Sequence, residues 1–413
     1  MPQRELKPVM EMPSIAEPSR ISPRASSGLR LILANASLAK YPEGGGHWAV
    51  FLQYLWGLRA LGHDFFWLEL LEPSADPARD RKRIEIFFRR FQRYGFAGRV
   101  ALLLLDRRPA DACFETAAAH GMSKTQLKEI IQSADLVWNF CCALRAPMLA
   151  LFKGRRAFID LDPGMVQLPL FDRAYALCAQ DPLFTVGSNI GEPDCQVPTA
   201  GRSWQRFWPI LYLPYWRAGA DPGPRAPFTS VTQWTWDEYW HEQQLLSFSK
   251  RRAYLKYLDM PQKTGRPFEL AANIHPGDQT GDRELLQRAG WRLATPNWVA
   301  RSPAKYREYI ERSRAEFCCP KPFYRQFHTG WFSDRSAAYL ASGRPVLAED
   351  TGFSKHLPTG RGLLTFSDLS EAVAGAGEID GNYPLHRRAA RELAEEYFSS
   401  AKWLPAMLSA CGR

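Results

Sequence analysis

Apolar residues gather in short runs of strand length, separated by polar stretches in which apolar positions return at helical spacing. Leu29–Ser37 is the first such run, and the glycine-rich stretch LAKYPEGGGH follows it. In His47–His63 the apolar positions fall at the three-to-four-residue spacing of a helix, with Gly62 placed to end it. Asp64–Leu71 reads as the next strand. Strand, glycine loop, helix and strand in that order make the unit that builds a parallel sheet. Arg99–Leu105, Leu136–Cys142 and Ala157–Leu161 extend the series, with a helical stretch at Lys124–Ser133.

From about 190 to 226 the rhythm breaks. Pro, Gly and aromatic residues crowd together there, the signature of loops and a linker. Strands resume at Phe228–Gln233 and continue through Phe268–Ile274, Trp291–Thr295, Glu316–Cys319, Pro345–Glu349 and Gly362–Phe366. Helical stretches lie between them, notably Arg283–Ala289 and Ala304–Ser313, and the helix Arg387–Phe398 comes near the end. The pattern predicts an α/β protein of two doubly wound, Rossmann-like domains facing each other across a cleft. The expected divisions are a mobile tail at 1–28, a first domain at 29–190, the linker region at 191–226, a second domain at 227–385, and a closing helical segment at 386–413.

Composition narrows the partners. The chain has 413 residues, enough for two domains, and 46% hydrophobic with 23% charged residues is a soluble globular balance. Runs such as Val100–Leu105 fall far short of the ~20 residues a membrane helix needs. The first 28 residues hold no apolar stretch of a secretion signal, which points to a cytoplasmic protein. A net charge of +10 suits an anionic partner: a nucleotide, an acidic glycan, or a membrane face in peripheral contact. No basic stripe is interleaved with aromatics, so nucleic acid is not expected. The eight cysteines form no CxxC, and the pairs Cys141–Cys142 and Cys318–Cys319 read as buried reduced thiols. The eight histidines sit apart, so no metal is expected.

Ligands of doubly wound sheets bind beyond the carboxyl ends of strands, and three such places are rich here. In Pro42–His47, Gly45 and Gly46 let backbone approach a ligand and the helix start offers N–H groups. His47 adds a group that takes a proton near neutral pH; the alternative is a loop with a capping-region histidine. In Phe158–Gln167, alternation puts Asp160 and Asp162 on one side, where they orient His47 or bind a hydroxyl; the alternative is an ordinary Asp-Pro-Gly turn. The third is HTGWFSDRSAAYLASGRPVLAEDTGF, His328–Phe353. Gly330 and Trp331 precede Ser333, an N-cap for a helix starting at Asp334, whose first-turn N–H groups would hold a diphosphate with help from His328 or Arg335. Asp350, Thr351, Gly352 and Phe353 form the turn after the next strand, so two turns would flank one elongated anion. The alternative is a plain αβ unit whose Ser and Gly are caps. His275 would line the same cleft, and Lys250 either contacts phosphate or belongs to a solvated basic run. The aromatics between Trp204 and Trp240 either pack the linker or stack on a glycan.

The His328–Phe353 stretch resembles the donor-binding segment of GT-B fold glycosyltransferases of the family 1 and family 4 kind. PEGGGHWAVFLQYLWGLRALGHD resembles the N-terminal GGH…L…GH pattern of the same fold, in which the histidine of some inverting members is the catalytic base. The resemblance implies a metal-independent, hexosyltransferase-like enzyme using a nucleotide-diphosphate sugar and no cofactor. The second domain would hold the donor, with Asp350 and Thr351 on sugar hydroxyls. The first domain would hold a glycan, lipid-linked or small-molecule acceptor, with His47, helped by Asp160 or Asp162, as base. The final helix crosses back to the first domain in many such enzymes. Two departures stand out. The signature box usually has two fewer residues before its later glycine. The two glutamates of the retaining group correspond here to Gly330 and Ala338, so the ribose contact, the nucleotide and the stereochemical outcome stay open. A nucleotide-sugar epimerase or a non-catalytic binding scaffold of the same fold are the alternative readings.

Overall fold

The structure, a computed structural model, describes residues 28–106, 113–141, 144–168, 180–241, 243–274 and 280–412. The first sheet contains β1 (Arg30–Ala34), β2 (Asp64–Leu71), β3 (Val100–Leu104), β4 (Ala118–His120), β5 (Leu136–Phe140), β6 (Arg155–Asp160), β7 (Leu183–Thr185) and β8 (Trp204–Arg206). Their order is 4-3-2-1-5-6-7-8, parallel except where β4 runs against β3. All eight residues of β2 are buried, as a central strand covered on both faces requires.

The second sheet contains β9 (Phe228–Thr232), β12 (Phe268–Ala272), β13 (Arg292–Ala294), β14 (Ala315–Cys318), β15 (Val346–Glu349) and β16 (Leu363–Phe366). β10 (Glu238–His241) and β11 (Gln244–Ser247) form a separate antiparallel hairpin. The order 13-12-9-14-15-16 is fully parallel and doubly wound. Both sheets therefore reverse direction beside their first strand, at β1/β5 and at β9/β14. Those are the positions where open α/β sheets leave a crevice for ligands.

The two-sheet α/β architecture agrees with the sequence pattern, and several elements add to it. Trp204–Arg206 lies in the stretch read as linker yet forms the edge strand of the first sheet. The basic run Arg79–Arg83 lies on a helix, Pro77–Arg93, capped by Asp76 and anchored by buried Phe87 and Phe91. The aromatics from 204 to 240 divide: Trp208, Trp216 and Trp234 are buried, whereas Trp236 and Trp240 on the hairpin segment are 46% and 71% exposed. Cys318, Cys319 and Cys411 are buried free thiols, but Cys113 is exposed. His275 and Cys142 lie outside the described residues.

The chain ends with helices Tyr383–Tyr397 and Ser400–Ala410. The first packs on the Asp334–Ala341 helix of the second domain; the last packs on the Gly45–Ala60 helix of the first. The two crossings are tied together. The Leu211 N–H donates to the Phe398 carbonyl (2.7 Å), and the Ser400 N–H donates to the Leu211 carbonyl (2.8 Å). Gly57 is where the first and last helices touch, because a Cβ there would collide with Leu404 and Ser400. Gly57→Val should overpack that contact and cost about 1–3 kcal/mol. Urea denaturation would read this as a lower midpoint; an unchanged midpoint would mean the last helix docks loosely.

Candidate functional site

The carboxyl ends of both sheets face one interdomain cleft. At its base lies a cavity of about 40 Å3, lined among others by Tyr54, Leu161, Tyr306, Trp331 and Asp334. Tyr54 and Tyr306 are nearly fully buried, and among the described residues neither phenol has a hydrogen-bond partner. Asp334 likewise has no ion pair there, and burial raises its pKa. The cavity is therefore mainly apolar, with two phenols and a carboxylate set into its walls.

His47 is the third residue of the Gly45–Ala60 helix. Its Nε2 lies 2.6 Å from the Ala36 carbonyl, and because a carbonyl only accepts, Nε2 carries the proton and Nδ1 keeps its lone pair. Rings of Tyr41 and Phe51 flank it edge-on. His47 is exposed at the surface of the cleft, and desolvation of its ring lowers its pKa, opposed by the Ala36 bond, which favours the neutral imidazole. The loop that presents Ala36 is itself pinned. Asn35 and Ser37 adopt left-handed backbone. The Asn35 side chain accepts from the N–H groups of Ser37 and Leu70, and the buried Glu69 carboxylate accepts from the Ala39 N–H and the Trp67 indole. Burial pushes the Glu69 pKa up to about 7.

Asp160 and Asp162 do not orient His47; among the described residues neither bonds to it. β6 ends at Asp160, so strand alternation does not reach Asp162. The buried Asp160 carboxylate accepts from the Asp162 N–H (3.0 Å), Gln167 (2.9 Å) and Thr185 (2.8 Å), which fixes the Asp-Pro-Gly turn. Burial pushes its pKa up to about 6. Asp162 instead crosses the cleft, with both oxygens 2.8 Å from the Lys321 ammonium.

The glycines also serve a purpose the sequence reading did not give them. The Gly45 N–H donates to the Ala300 carbonyl of the second domain (2.6 Å), and Gly46 lies against the Tyr306 ring. Close approach of two domains, not of a ligand, explains both. The same holds at Gly330 and Gly352, which have φ of 68° and 96° and would meet Ser188 or Asn189 if they carried a Cβ. The Asn189 amide donates to the carbonyls of His328 (3.0 Å) and Gly352 (3.2 Å), and the Ser188 hydroxyl donates to that of Gly330 (2.9 Å). So the two turns do flank one elongated object, and it is the Ser188–Asn189 turn of the first domain.

The remaining residues of this stretch are similarly engaged. The Gly330 N–H donates to the Thr351 carbonyl, and the Trp331 N–H to the Thr329 hydroxyl. Ser333 caps its helix, as expected, by accepting from the Arg335 N–H. The Arg335 guanidinium turns inward to Glu316, the Val231 carbonyl and the Cys318 sulfur, away from any phosphate. Asp350 closes its own turn on Gly352 and Ser354, while Thr351 donates to the Trp331 carbonyl. Both are engaged first in holding their own turn. Phe353 packs on Phe332, and His328 is exposed.

Positive charge reaches the cleft through two lysines. Lys250 opens the Lys250–Leu255 helix, and its ammonium lies over the Trp331 ring at 5.7 Å with no carboxylate partner among the described residues. Desolvation, then the charge of Arg335, pushes its pKa down to about 8. Lys321 follows β14 directly, at the point where the strand order reverses. Its position in CCPK, just past a strand end, was the sequence signal that could have found it.

No family model matches the chain, and no curated protein matches it in sequence. Solved structures do match in shape. Sucrose-phosphate synthase from Thermosynechococcus elongatus is 12% identical, with 92% of this chain and 98% of that one covered and a TM-score of 0.57. An alpha-glucosyltransferase in complex with UDP-glucose and DNA is 9% identical, with coverage of 94% and 100% and a TM-score of 0.58. HepE from Anabaena in complex with UDP is 11% identical, with coverage of 92% and 100% and a TM-score of 0.55. The chain has the GT-B fold of these proteins.

Asn189→Ala should leave the part-buried His328 and Gly352 carbonyls without this donor and cost about 1–3 kcal/mol. Urea unfolding followed by tryptophan fluorescence would measure it. Loss of less than about 0.5 kcal/mol would mean the clamp does not hold the domains.

Proposed function

We propose that the chain transfers a sugar from a nucleotide-diphosphate donor to an acceptor hydroxyl, with the second domain holding the donor. Lys250 carries this reading: a desolvated ammonium without an ion-pair partner among the described residues, beside the switch point of a doubly wound sheet, is built for an anion. UDP and UDP-glucose in the matched structures support a nucleoside diphosphate as that anion. Lys250 would offset the charge that grows on the leaving diphosphate, which requires no metal ion. Asp334, facing the cavity beside Tyr54 and Tyr306, takes a hydroxyl-binding role, while Asp350 and Thr351 are engaged in their own turn.

His47 would accept the acceptor's proton at Nδ1, the nitrogen the Ala36 carbonyl leaves free. The acceptor is a glycan, a lipid-linked glycan or a small molecule on the first domain; DNA accompanies some of the matched structures but is not proposed here. Among the described residues no helix is long and apolar enough to cross a membrane, and a cytoplasmic enzyme with peripheral contact at the inner membrane face fits the +10 charge.

Calorimetric titration with UDP, GDP, dTDP, ADP and CMP tests the donor site. Lys250→Ala should weaken the preferred ligand by at least about tenfold, the scale of one charge-assisted contact. Nucleotide binding indifferent to that change would overturn the reading. Lys250 is charged below its pKa of about 8 and loses its proton above it. Affinity should therefore hold up to pH 7.5 and then fall by up to about tenfold per pH unit, until the raised pKa of the complex is reached. Lys250→Arg should flatten that profile. His47→Ala should leave nucleotide affinity unchanged and slow transfer by about 10²–10⁴-fold; equal loss of both would make His47 structural.

A further inference from the structure

Lys321 and Asp162 form a bridge between a residue following β14 in one sheet and a residue following β6 in the other. The bridge is half-buried, and both carboxylate oxygens lie at 2.8 Å from one ammonium. The Lys321 ammonium is also ringed by aromatic faces, with Tyr324, Trp236 and Phe248 at 5.3, 5.5 and 5.7 Å. Such faces stabilise a cation without occupying its N–H donors. Tyr324 in turn stacks on Trp331 at 4.6 Å, and Trp331 is the ring beneath Lys250. Two ammoniums thus flank a stacked Tyr–Trp pair, and the charge of Lys321 contributes to depressing the pKa of Lys250.

A single carboxylate satisfies this pair poorly. Asp162 reaches Lys321 but makes no ion pair with Lys250 among the described residues, so one of two neighbouring cations has no carboxylate in direct contact, Glu316 and Asp334 acting on it only through space. A diphosphate carries more charge and more acceptor oxygens, and it is long enough to serve both.

We infer that Lys321 is a second ligand for the donor's diphosphate and that Asp162 is its resting counter-ion, displaced when the diphosphate enters. This rests on the cleft being a diphosphate site and adds an exchange of partners at its entrance. Every anion must break the Asp162–Lys321 pair to bind. A monophosphate gains less from the two lysines than a diphosphate does, so Asp162 also sharpens selection for the longer anion.

The test is calorimetric titration of the intact chain with UDP, GDP, UMP and inorganic pyrophosphate. Asp162→Asn should bind pyrophosphate and the preferred nucleoside diphosphate about fivefold more tightly, the scale of a partly exposed ion pair. The preference for diphosphate over monophosphate should shrink. Lys321→Gln should weaken binding by about tenfold. The double variant should bind like Lys321→Gln alone, because Asp162 acts only through Lys321. Unchanged or weaker binding by Asp162→Asn would overturn the inference. So would a gain that persists in the Lys321→Gln background, since that reports a general field effect. If Lys321→Gln does not fold, Asp162→Asn decides alone, because tighter binding is not the product of a damaged fold. Binding that depends on Lys250 yet ignores Asp162 and Lys321 defeats only this inference. Absence of any diphosphate binding, in wild type and Asp162→Asn alike, defeats the donor-site reading with it.

Discussion

Asn189 is fully buried, and every polar atom of its side chain is spent on the opposite domain. The amide nitrogen reaches two main-chain carbonyls, and the oxygen accepts from His356 at 3.1 Å. The Asn189 N–H adds a bond to the Thr329 carbonyl. A buried amide with no loose end tolerates little displacement, because each broken bond leaves a desolvated group behind. This contact sets how the two sheets face each other. It thereby sets the distance between His47 on one side and the two lysines on the other.

That constraint explains why glycine occurs where it does. Gly45, Gly330 and Gly352 each stand where the backbone of one domain meets the other too closely for a Cβ. A glycine-rich turn ahead of a helix has the same sequence whether a phosphate or a neighbouring main chain approaches it. The pattern announces close approach and leaves the visitor unnamed.

The two-domain α/β architecture was legible because its central strands are mostly buried runs of four to eight residues, bounded by turn residues and alternating with helical spacing; the three-residue edge strands carry no such signal. The candidate site was legible only in part, and the roles of its residues are proposals. His47 was visible as a histidine at a helix start after a strand, and Lys250 as a cation in the following domain. Arg335 and Asp350 misled because local sequence cannot show which way a side chain turns. Arg335 finds Glu316 from an adjacent strand, and Asp350 finds its own turn. Lys321 and Asn189 were missed, and Asp162 was named for a different partner, because the groups they meet lie more than a hundred residues away along the chain. Only the juxtaposition of two domains gives them meaning.

In the proposed site the cleft holds a diphosphate on lysine side chains while the glycine turns hold the domains together. A crystal structure of the chain grown with UDP would test it most directly. Phosphate oxygens should lie within hydrogen-bond distance of the Lys250 ammonium, with Asn189 still on the His328 and Gly352 carbonyls. Phosphate seated on the N–H groups of Gly330 and Trp331, with the Ser188–Asn189 turn displaced, would contradict it.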